Sequence, residues 1–471
     1  MIFRKLKVLN DDEMLKIVEG AFRILQTTGC RFEDPACMDE LEAIGCSVDR
    51  DSLVVKFPED AIFDALESVP SVTPPDNLPK ARVASANKGF LLDYHTRKMR
   101  RGKTDDARKI ITLCNNLTNI TLASAGVVQD DVHNDAVEVF NTALLLKYSE
   151  KLFNQWVYNT DNVPFVLEMG EIVTGGAEEL KQSSLLNYML NPIAPLRFPP
   201  TQLKMTRLYA QRDLPLSVAS MTQTGSTAPA TMAGALVVCT AELLAGLAWI
   251  HSLNSKSPVG LGALTQVCDL RTGAQLYAGP EQTIMFLGMH QIIRYLGYTS
   301  GNTSFETDSC DFDFQNGWEK ALSGVLCWAA GFDMFGQAGF LMDGFSMEQL
   351  VLDNEAMGML QRVGQGMVVD EDALAFDTIK AVGPGGNFLG ERHTMLHARD
   401  FWLPSVFSRM SFEQWQKEGA RHIIDVAHDK VEQILANNSL ELQVSEDQAK
   451  AIDDVARRRL AQVGGSWEGV I

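Results

Sequence analysis

The chain alternates short apolar runs with amphipathic stretches over most of its length, and this alternation restricts its fold more than any other feature. The apolar runs are predicted strands at 120–129, 152–159, 185–193, 216–222, 259–267, 298–305 and 334–341. The intervening stretches carry helical periodicity near 132–148, 161–174, 200–212, 229–253, 273–295, 315–330 and 346–363. Strands that are apolar on both faces and separated by helices indicate a parallel sheet.

Seven strand and helix units are present, and an eighth strand near residue 90 or 380 completes a set of eight. This number predicts an α/β fold, a closed (β/α)8 barrel of the TIM type. An open doubly wound sheet is the alternative, although the chain lacks the GxGxxG turn after its first strand that a dinucleotide-binding fold has. We expect three regions: an N-terminal helical extension over 1–90, a (β/α)8 barrel over 91–410, and a C-terminal helical tail over 411–471.

The first 90 residues do not follow the alternation. Helical periodicity over 10–28 precedes a second helix, a short strand at 53–57 and a third helix, the last three between residues 36 and 70. The stretch 71–89 then contains three prolines, which interrupt regular structure. This pattern places a small extension before the barrel.

The charge balance of the chain restricts its partners. The formal net charge is −19, and no basic block is longer than 97–103. Because nucleic-acid binding depends on neutralising many phosphates, a nucleic-acid partner is disfavoured. An acidic surface suits a cationic substrate or a protein partner with a basic docking face, and a solvated surface without such a role is the other interpretation.

Cysteine usage and hydropathy indicate the compartment. The eight cysteines are scattered without a CxxC pair, which is typical of reduced thiols in a cytoplasmic protein. The longest apolar run, 228–250, includes Pro229, Thr231, Thr240 and Glu242, and therefore predicts a buried helix rather than a membrane span. The first residues turn acidic after a short basic run and do not resemble a signal peptide. We expect a cytoplasmic protein without a membrane partner.

Small and polar residues follow the predicted strands, at the end where barrel enzymes assemble their active sites. Part of this polarity is helix capping. Arg197 is placed to hold a carboxylate through its guanidinium, or to form a structural ion pair. Glutamine amides recur near five strand ends and can orient a ligand without adding charge: Gln129, Gln155, Gln223, Gln266 and Gln337.

Aromatic side chains occur at the same level as these polar residues. Together with the carboxylates of Glu306 and Asp308 they can form a cage for a quaternary ammonium group. Alternatively, most of them belong to the core. They are Trp156, Tyr158, Tyr188, Phe198, Phe305, Phe335 and Phe340.

A dense mixture of Gly, Pro, His and aromatic residues over 382–415, the closing segment, cannot form one regular helix or strand. Gly385 and Gly386 follow a proline and allow sharp turns and a close approach of backbone to a ligand. His393 and His397 have the i, i+4 spacing of residues on one helix face. Zinc requires a third ligand and usually a carboxylate behind a ligating histidine, and the sequence has neither HExxH nor a Cys/His cluster. We therefore predict no metal site and favour a cap or a substrate hydrogen bond.

Three segments together resemble the trimethylamine methyltransferase family: the closing segment VGPGGNFLGERHTMLHARDFWLPSVFSRMSFEQW, the run 315–355, and TGSTAPATMAGAL at 224–236. The resemblance extends over most of the chain. It implies a (β/α)8 barrel, active as a homo-oligomer, that presents a substrate methyl group to the cobalt of a corrinoid (cobalamin) carried by a separate corrinoid protein. Archaeal members carry pyrrolysine in the region that matches 298–313, where this chain has only ordinary residues.

Within this resemblance, the lack of pyrrolysine implies a branch that demethylates quaternary amines, glycine betaine first, with proline betaine, carnitine and γ-butyrobetaine as further candidates. A quaternary nitrogen is already activated as a leaving group, so the protein has to position and desolvate the substrate rather than supply an acid or base. We expect positioning by Glu306 and His393, and contact of Gly385 and Gly386 with the corrinoid. The expected substrate site consists of Tyr158, Tyr188, Arg197, Gln223, Gln266, Glu306, Gln337, Phe340 and His393.

Two other functions remain open from the residues alone. A (β/α)8 lyase or isomerase would use Glu306, Asp308 or His393 as acid or base. A non-catalytic scaffold would bind a betaine without turnover. The chain has no GxSxG, Walker or signature-cysteine motif that would indicate nucleophilic or phosphoryl chemistry.

Overall fold

Eight parallel strands form the centre of the molecule in a computed structural model that describes residues 6–72, 81–253 and 255–465. Their spatial order is third, second, first, eighth, seventh, sixth, fifth, fourth, which is the cyclic order of a (β/α)8 barrel, and the predicted fold class is confirmed. The strands are β1 (Arg82–Ser85), β2 (Leu122–Ala123), β3 (Leu152–Phe153), β4 (Tyr188–Leu190), β5 (Leu216–Ser220), β6 (Val259–Ala263), β7 (Ser300–Asn302) and β8 (Met334–Ala338).

Strand β1 is the eighth strand that the sequence placed near residue 90 or 380, and it comes first in chain order. Met334 and Phe335 of β8 pair with Arg82 and Val83 of β1, which joins the two ends of the repeat. The other seven strands overlap the predicted ones but are shorter, because the polar residues that follow each strand leave the ladder and form loops.

The barrel wall has one seam without backbone pairing. Among the described residues no ladder joins β3 to β4. At this seam the Gln155 side-chain Nε2 donates a 2.6 Å hydrogen bond to the Asn187 carbonyl oxygen. A side chain therefore replaces the missing ladder between the two strands.

A helix follows each strand and covers the outside of the barrel. Asp313 caps one of these helices by accepting a 2.9 Å hydrogen bond from the Asn316 N–H, and Ser346 caps the next by accepting a 3.1 Å bond from the Gln349 N–H. The helices are α1 (Thr104–Asn116), α2 (Val137–Tyr148), α3 (Val163–Thr174), α4 (Pro200–Ala210), α5 (Met232–Ser252), α6 (Pro280–Tyr295), α7 (Phe314–Ala330) and α8 (Met347–Gln365), with Ala177–Ser183 after α3.

Helix α5 corresponds to the long apolar run of the sequence. Among the described residues it is the one helix long and apolar enough to cross a membrane, and 78% of that apolar window is buried inside the structure. Helices Asp11–Thr27 and Glu59–Ser68 pack against it, and its Trp249 is fully buried. The prediction of a buried helix is confirmed.

The residues before the barrel form a helical layer with a small sheet. The first helix begins in a capping box in which Asn10 and Glu13 bond to each other's backbone. Strand Cys30–Phe32 runs parallel to Arg197–Phe198, which lies beyond β4, with Arg31 opposite Arg197. Residues 73–80 of the proline-containing stretch lie outside the described residues. The other elements of this layer are Ala36–Ala43, Ser47–Asp49 and Val54–Lys56.

Two small sheets extend the barrel wall beyond the carboxyl ends of the strands, so they surround the mouth of the barrel. The first contains Gln223–Thr224, Gln266–Cys268 and Gln275–Leu276. The second contains Phe90–Asp93, Lys98–Arg101, Phe340–Leu341 and Gly344–Phe345.

The residues after α8 lead to the opposite end of the barrel. Asn119, which lies just before β2, donates its backbone N–H to the Asn354 side chain at 2.9 Å. A Cβ placed on Gly358 of α8 would lie 3.0 Å from Asn119 Nδ2 and 3.3 Å from Trp402 Nε1. Trp402 of the closing segment is therefore at the amino-terminal end of the strands. The helices after α8 are Glu371–Leu374, Phe376–Val382, Arg392–His397, Phe412–Lys417, Ile423–Asn437 and Glu446–Gln462, with a short 3-10 helix at Ala398–Asp400. Another short 3-10 helix, Thr160–Asn162, lies between β3 and α3.

Candidate functional site

A cavity of about 330 Å³ occupies the inside of the barrel. The interior of most (β/α)8 barrels is filled by layers of branched side chains. Here the strands direct small residues inward, and the residues that line the cavity include Ala84, Ser217, Ala219, Gly260, Gly262 and Gly301. The sequence therefore leaves room for a small molecule where other barrels have a core.

Gly260 shows how the small residues create this space. A Cβ placed on it would lie 3.8 Å from both Ser217 Cβ and Val72 Cγ2, so an alanine would fit without a clash. Any longer side chain would extend into the cavity. Gly336 is more restricted, because a Cβ there would lie 2.9 Å from the Asn302 carbonyl oxygen.

Two aromatic rings line the cavity after β3. Trp156 and Tyr158 are stacked, with ring centroids 6.4 Å apart and planes at 17°, and Tyr158 is 56% exposed. Glu138 of α2 fixes this loop, because its carboxylate accepts hydrogen bonds from the Tyr158 N–H at 2.8 Å and the Asn159 N–H at 3.2 Å. The two rings offer an apolar, electron-rich wall of the kind that attracts quaternary ammonium groups.

Four amide oxygens that line the cavity are buried without a hydrogen-bond partner among the described residues. For two of them the reason is visible: the Gln155 amide nitrogen donates to the Asn187 carbonyl, and the Asn191 amide nitrogen donates to the Met189 carbonyl at 3.3 Å. The donors are used inside the barrel wall, and the oxygens remain free. Free buried acceptors are costly, which indicates that a ligand or water bonds them. The four belong to Asn87, Gln155, Asn191 and Gln337.

Gln337 has a strained backbone in addition to its free oxygen. Its φ is 72°, in the left-handed region that residues other than glycine seldom adopt. It lies in β8, next to Gly336 and Ala338, and its side chain lines the cavity. Backbone strain of this kind is concentrated at binding and catalytic sites, where it holds a side chain in a required direction.

Arg82 supplies a positive charge to the cavity. It is the first residue of β1, its side chain lines the cavity, and its Nε is buried without a partner among the described residues. Burial lowers the pKa of its guanidinium, while the Asp333 carboxylate opposes this effect. A guanidinium in this position is suited to a carboxylate at the deep end of a bound ligand.

Glu306 lies beside the cavity. It is 3% exposed, and its Oε2 is buried without a partner among the described residues. Burial raises the pKa of Glu306 to about 7, although Thr303, which lines the cavity, and the Lys88 and Lys320 ammonium groups lower it. The carboxyl group therefore changes its charge near neutral pH, in a position where a cationic ligand would favour the ionised form.

The residues around Glu306 are held by a buried ion pair. Lys320 of α7 bonds the Asp353 carboxylate of α8 at 3.0 Å and the Phe305 carbonyl oxygen. Asp353 also accepts a 2.8 Å hydrogen bond from the Gly339 N–H. This pair connects the loop after β7 to the loop after β8, so the backbone just before Glu306 is fixed.

Three of the predicted substrate residues line the cavity: Tyr158, Tyr188 and Gln337. Tyr158 and Gln337 lie at the level of the mouth, as predicted. Tyr188 is the first residue of β4, at the opposite end, and its hydroxyl donates a 2.7 Å hydrogen bond to Gln202 Oε1. A role for these three residues in substrate binding stays a prediction.

Four other predicted residues lie on the mouth side but do not line the cavity described here. Arg197 pairs with the N-terminal sheet and lies 3.7 Å from the Glu33 carboxylate, so the structural ion pair is its observed contact. Gln223 and Gln266 pair with each other in the first small sheet. Phe340 is fully buried, with the Lys88 ammonium 4.3 Å from its ring centroid. The aromatic face that was expected to hold a substrate cation is occupied by a lysine.

The placement predicted for the closing segment at the barrel mouth is wrong. His393 lies on helix Arg392–His397, and its Nε2 is 3.0 Å from the Asp372 carbonyl oxygen. Gly385 and Gly386 form an exposed turn on the same segment. The described residues that line the cavity include none of these three. The physical reason is that α8 carries the chain away from the mouth before this segment begins.

The remaining aromatic candidates mostly belong to the core. Phe198 stacks on Phe32 at a ring distance of 4.4 Å, and Phe305 packs on Phe335 at 6.3 Å.

The carboxylate candidate Asp308 accepts hydrogen bonds from the backbone N–H groups of Tyr277 and Ala278, which makes it a loop cap.

Sequence reasoning missed Arg82, Asn87 and Asn191. Arg82 and Asn87 lie on the run RVASAN, whose strand was placed near residue 90 rather than at its observed position. A charged residue at the start of a run of small residues was the signal that could have identified Arg82. Asn191 follows β4 directly, at a strand end that was otherwise represented by Tyr188 and Arg197.

Comparison with known proteins agrees with the architecture and the sequence segments described above. The family model for trimethylamine methyltransferase (MTTB) matches residues 1–464. The chain is 28% identical over 452 residues to the glycine betaine methyltransferase of Desulfitobacterium hafniense strain Y51, with 92% of this chain and 93% of the relative covered. It is 28% identical over 454 residues to the trimethylamine methyltransferase MttB of Methanosarcina barkeri, with 93% and 92% covered.

Solved structures agree at the level of the fold. The Methanosarcina barkeri monomethylamine methyltransferase MtmB matches with a TM-score of 0.50 and 12% identity, covering 98% of this chain and 90% of that chain. This similarity concerns the fold alone. Since the family model covers nearly the whole sequence, the chain belongs to the trimethylamine methyltransferase family.

Proposed function

We propose that this methyltransferase removes a methyl group from a quaternary amine that carries a carboxylate, glycine betaine first and proline betaine, carnitine or γ-butyrobetaine next. The acceptor is the Co(I) centre of a corrinoid carried by a separate corrinoid protein. The observation that carries the proposal is the cavity itself, with an aromatic pair and free amide oxygens along its wall and the side chain of Arg82 at the start of β1.

Each part of this cavity fits one part of a betaine. The trimethylammonium group suits the rings of Trp156 and Tyr158 and the free amide oxygens, because both present negative potential to its methyl groups. The carboxylate suits the guanidinium of Arg82, which takes the role that the sequence had suggested for Arg197. An ionised Glu306 beside the cavity would add a counter-charge for the cation.

The reaction requires positioning more than acid or base chemistry. The corrinoid, when bound with its protein, supplies the Co(I) nucleophile that accepts the methyl group, while the nitrogen keeps the bonding electron pair and leaves as a tertiary amine. The barrel residues orient the N–CH3 bond toward the mouth and exclude water from it. No proton has to move, which agrees with a cavity lined by neutral amides.

The lyase or isomerase alternative has less support. It would require two of Glu306, Asp308 and His393 to converge on a substrate. Asp308 is used as a backbone cap, and His393 lies beyond α8 on the segment that leads to the other end of the barrel. Glu306 alone remains available, and we retain it as a charged neighbour of the substrate.

We also propose that the chain assembles with copies of itself through the region 359–412. Sixteen large apolar side chains in this region are at least 40% exposed. With about 200 Å² for a fully exposed large apolar residue, they present on the order of 2,000 Å². The largest apolar patch of a monomer is about 300–600 Å², and a standard interface covers about 800 Å² per partner.

The association surface can be tested with one exposed leucine. Leu389 is 83% exposed. A lysine in its place should make the assembly dissociate on dilution, and light scattering should then give a lower particle mass than for the parent chain. Leu270, 69% exposed near the barrel mouth, gives the matched control Leu270→Lys, which should leave the mass unchanged. Equal masses for both variants and the parent chain would contradict the proposed surface.

We propose the cytoplasm as the compartment of this protein, because cysteines stay reduced there.

The methyl-transfer proposal is tested by supplying the purified chain with reduced corrinoid protein, or with free reduced cobalamin, and one amine at a time. The change in corrinoid absorbance reports methylation. We expect transfer from at least one betaine and none from trimethylamine. Comparable turnover of trimethylamine would overturn the substrate class, and binding of a betaine without any transfer would favour the scaffold alternative.

A further inference from the structure

We infer that Asp372, His393 and His397, here named the His–Asp cluster, form a zinc-binding site on the surface of the molecule. The three residues come from two short helices, Glu371–Leu374 and Arg392–His397. One ligand atom from each lies within 4.8 Å of the others. The site is separate from the barrel cavity, whose described lining contains none of the three, so the inference does not depend on the proposed methyl transfer. All three residues lie within the region 359–412 that we propose for self-association.

The geometry brings the ligand atoms together from two directions. His393 and His397 are one turn apart on the same helix, and their ring centroids are 4.3 Å apart. His397 Nε2 lies 3.2 Å from Asp372 Oδ2, and His393 Nε2 lies 3.0 Å from the backbone carbonyl oxygen of Asp372. Both Nε2 atoms therefore face Asp372, and a small rotation of these side chains would let all three ligand atoms contact one ion.

Asp400 supplies the support that zinc-binding histidines usually have. Its Oδ2 lies 2.6 Å from His397 Nδ1, the ring nitrogen on the side away from Asp372. A carboxylate in this position holds the ring orientation and makes Nε2 the atom that is free to bind a metal. The sequence analysis predicted no metal because a third ligand and such a carboxylate were not evident, and folding brings both to the histidines.

The donor set selects zinc over the commoner hard cations. Two imidazole nitrogens and one carboxylate oxygen are typical ligands of Zn²⁺, whereas Mg²⁺ and Ca²⁺ prefer oxygen donors alone. Three protein ligands leave one position of a tetrahedral ion for a water molecule or another group. A bound ion would also join two helices of four and six residues that have no buried residues of their own.

The contrasting interpretation is an ion-pair cluster, in which protonated His397 lies between Asp372 and Asp400 without a metal. Exposed pairs of this kind contribute little to stability because solvent screens them. The two interpretations differ in one measurable respect: an ion-pair cluster does not bind zinc at a fixed stoichiometry.

The test uses the full chain without a polyhistidine tag, treated with a chelator and then titrated with Zn²⁺ in a calorimeter. We expect one zinc ion per chain. Hydrogen exchange measured with and without zinc should show slower exchange over 371–374 and 392–400 when zinc is present. Co²⁺ in place of Zn²⁺ should give the visible absorption of a tetrahedral nitrogen and oxygen site.

Substitutions then assign the site to these residues. His397→Gln and Asp372→Asn remove a ligand and should abolish the stoichiometric binding. Asp400→Asn should weaken binding about 10- to 100-fold, the usual effect of losing the carboxylate behind a ligating histidine. Asp377→Asn in the neighbouring helix and His133→Gln, an exposed histidine 4.0 Å from Asp135, are matched controls that should bind zinc as the parent chain does.

Each outcome decides the inference. Stoichiometric binding that is lost in the ligand variants and kept in the controls supports it. Absence of saturable binding in the parent chain, or binding that survives both ligand substitutions, overturns it. Circular dichroism of every variant checks that the barrel is folded, and loss of zinc binding is used as evidence only for folded variants. Asp400→Asn keeps all three ligands and is therefore the substitution that disturbs the site least.

Discussion

Replacing Arg82 with methionine should separate recognition of the carboxylate from recognition of the ammonium group. The Arg82 side chain lines the cavity, and its Nε is buried without a partner among the described residues. Methionine keeps an unbranched side chain, and the backbone N–H at this position still bonds the Asp333 carbonyl oxygen at 3.0 Å. The substitution therefore removes the guanidinium with little change to the barrel wall.

The expected size of the effect follows from the bond that is lost. A hydrogen bond between charged groups contributes about 1.5–3 kcal/mol, so glycine betaine should bind about 10- to 150-fold more weakly to Arg82→Met. Tetramethylammonium has no carboxylate and should bind the parent chain and the variant equally. Because burial disfavours the charged guanidinium, the melting temperature of the variant should be unchanged or higher.

Glycine betaine and tetramethylammonium are each titrated into the parent chain and into Arg82→Met in a calorimeter. The four affinities form a thermodynamic cycle in which the ligand carboxylate and the protein guanidinium are the groups that change. Arg197→Met is the matched control, since Arg197 contacts Glu33 and lies outside the cavity lining. Equal losses for the two ligands, or an unchanged affinity for glycine betaine, would refute the assignment of Arg82 to the carboxylate. A larger loss in Arg197→Met would restore the role that the sequence suggested for that residue.

Four further predictions concern the site and the buried carboxyl groups of the barrel. The pKa of Glu306 is about 7, so betaine affinity should rise with pH between about 6 and 8 as the group ionises, and Glu306→Gln should abolish this rise. Burial also raises the pKa of Glu242 to about 7. A raised carboxyl pKa makes folding stability fall as the pH increases from about 4.5 to 7. Glu242→Gln should therefore flatten the pH dependence of the free energy of unfolding, measured with urea, and leave the pH dependence of betaine affinity unchanged. Gly260→Leu should fill the cavity and weaken glycine betaine binding at least about tenfold. The control Gly317→Ala, where a Cβ meets nothing within 4 Å, should leave the affinity unchanged. Equal betaine affinities for Gly260→Leu and the parent chain would show that the ligand binds elsewhere. Trp156→Leu should weaken glycine betaine and tetramethylammonium by the same factor, about 2- to 30-fold by titration, because the ring faces the cation in both.

The barrel was predictable because its strands are apolar on both faces and its helices are long enough to show their period. The predicted helix near 346–363 is observed as α8, and the predicted strand at 216–222 is observed as β5. Strand β1 was harder to locate, because a four-residue strand after a proline-containing stretch has no period of its own. Its partner β8 is about 250 residues away in sequence, and that pairing defines it.

The site was less predictable because distance along the chain does not tell which end of the barrel a residue reaches. His393 follows the last barrel strand by about 55 residues, and the sequence suggested a loop at the mouth. Helix α8, with 19 residues, spans about 28 Å and carries the chain past the length of the barrel before that loop begins. The position of Arg197 could not be predicted for a related reason, because its pairing with Arg31 depends on a contact between the extension and the barrel.

The open interior explains why the cavity has the lining it has. At about 24 cal/mol per Å³, a dry apolar cavity of this size would cost about 8 kcal/mol, which is comparable to the whole stability of a domain. Amide groups such as Gln155 and Asn191 reduce this cost, because water can occupy the space and bond their oxygens. Water held in this way is also what a betaine must displace, and its methyl groups cannot replace those hydrogen bonds fully. Binding should therefore depend on the ring pair of Trp156 and Tyr158 and on the charge of Arg82, which together offset the loss of hydration.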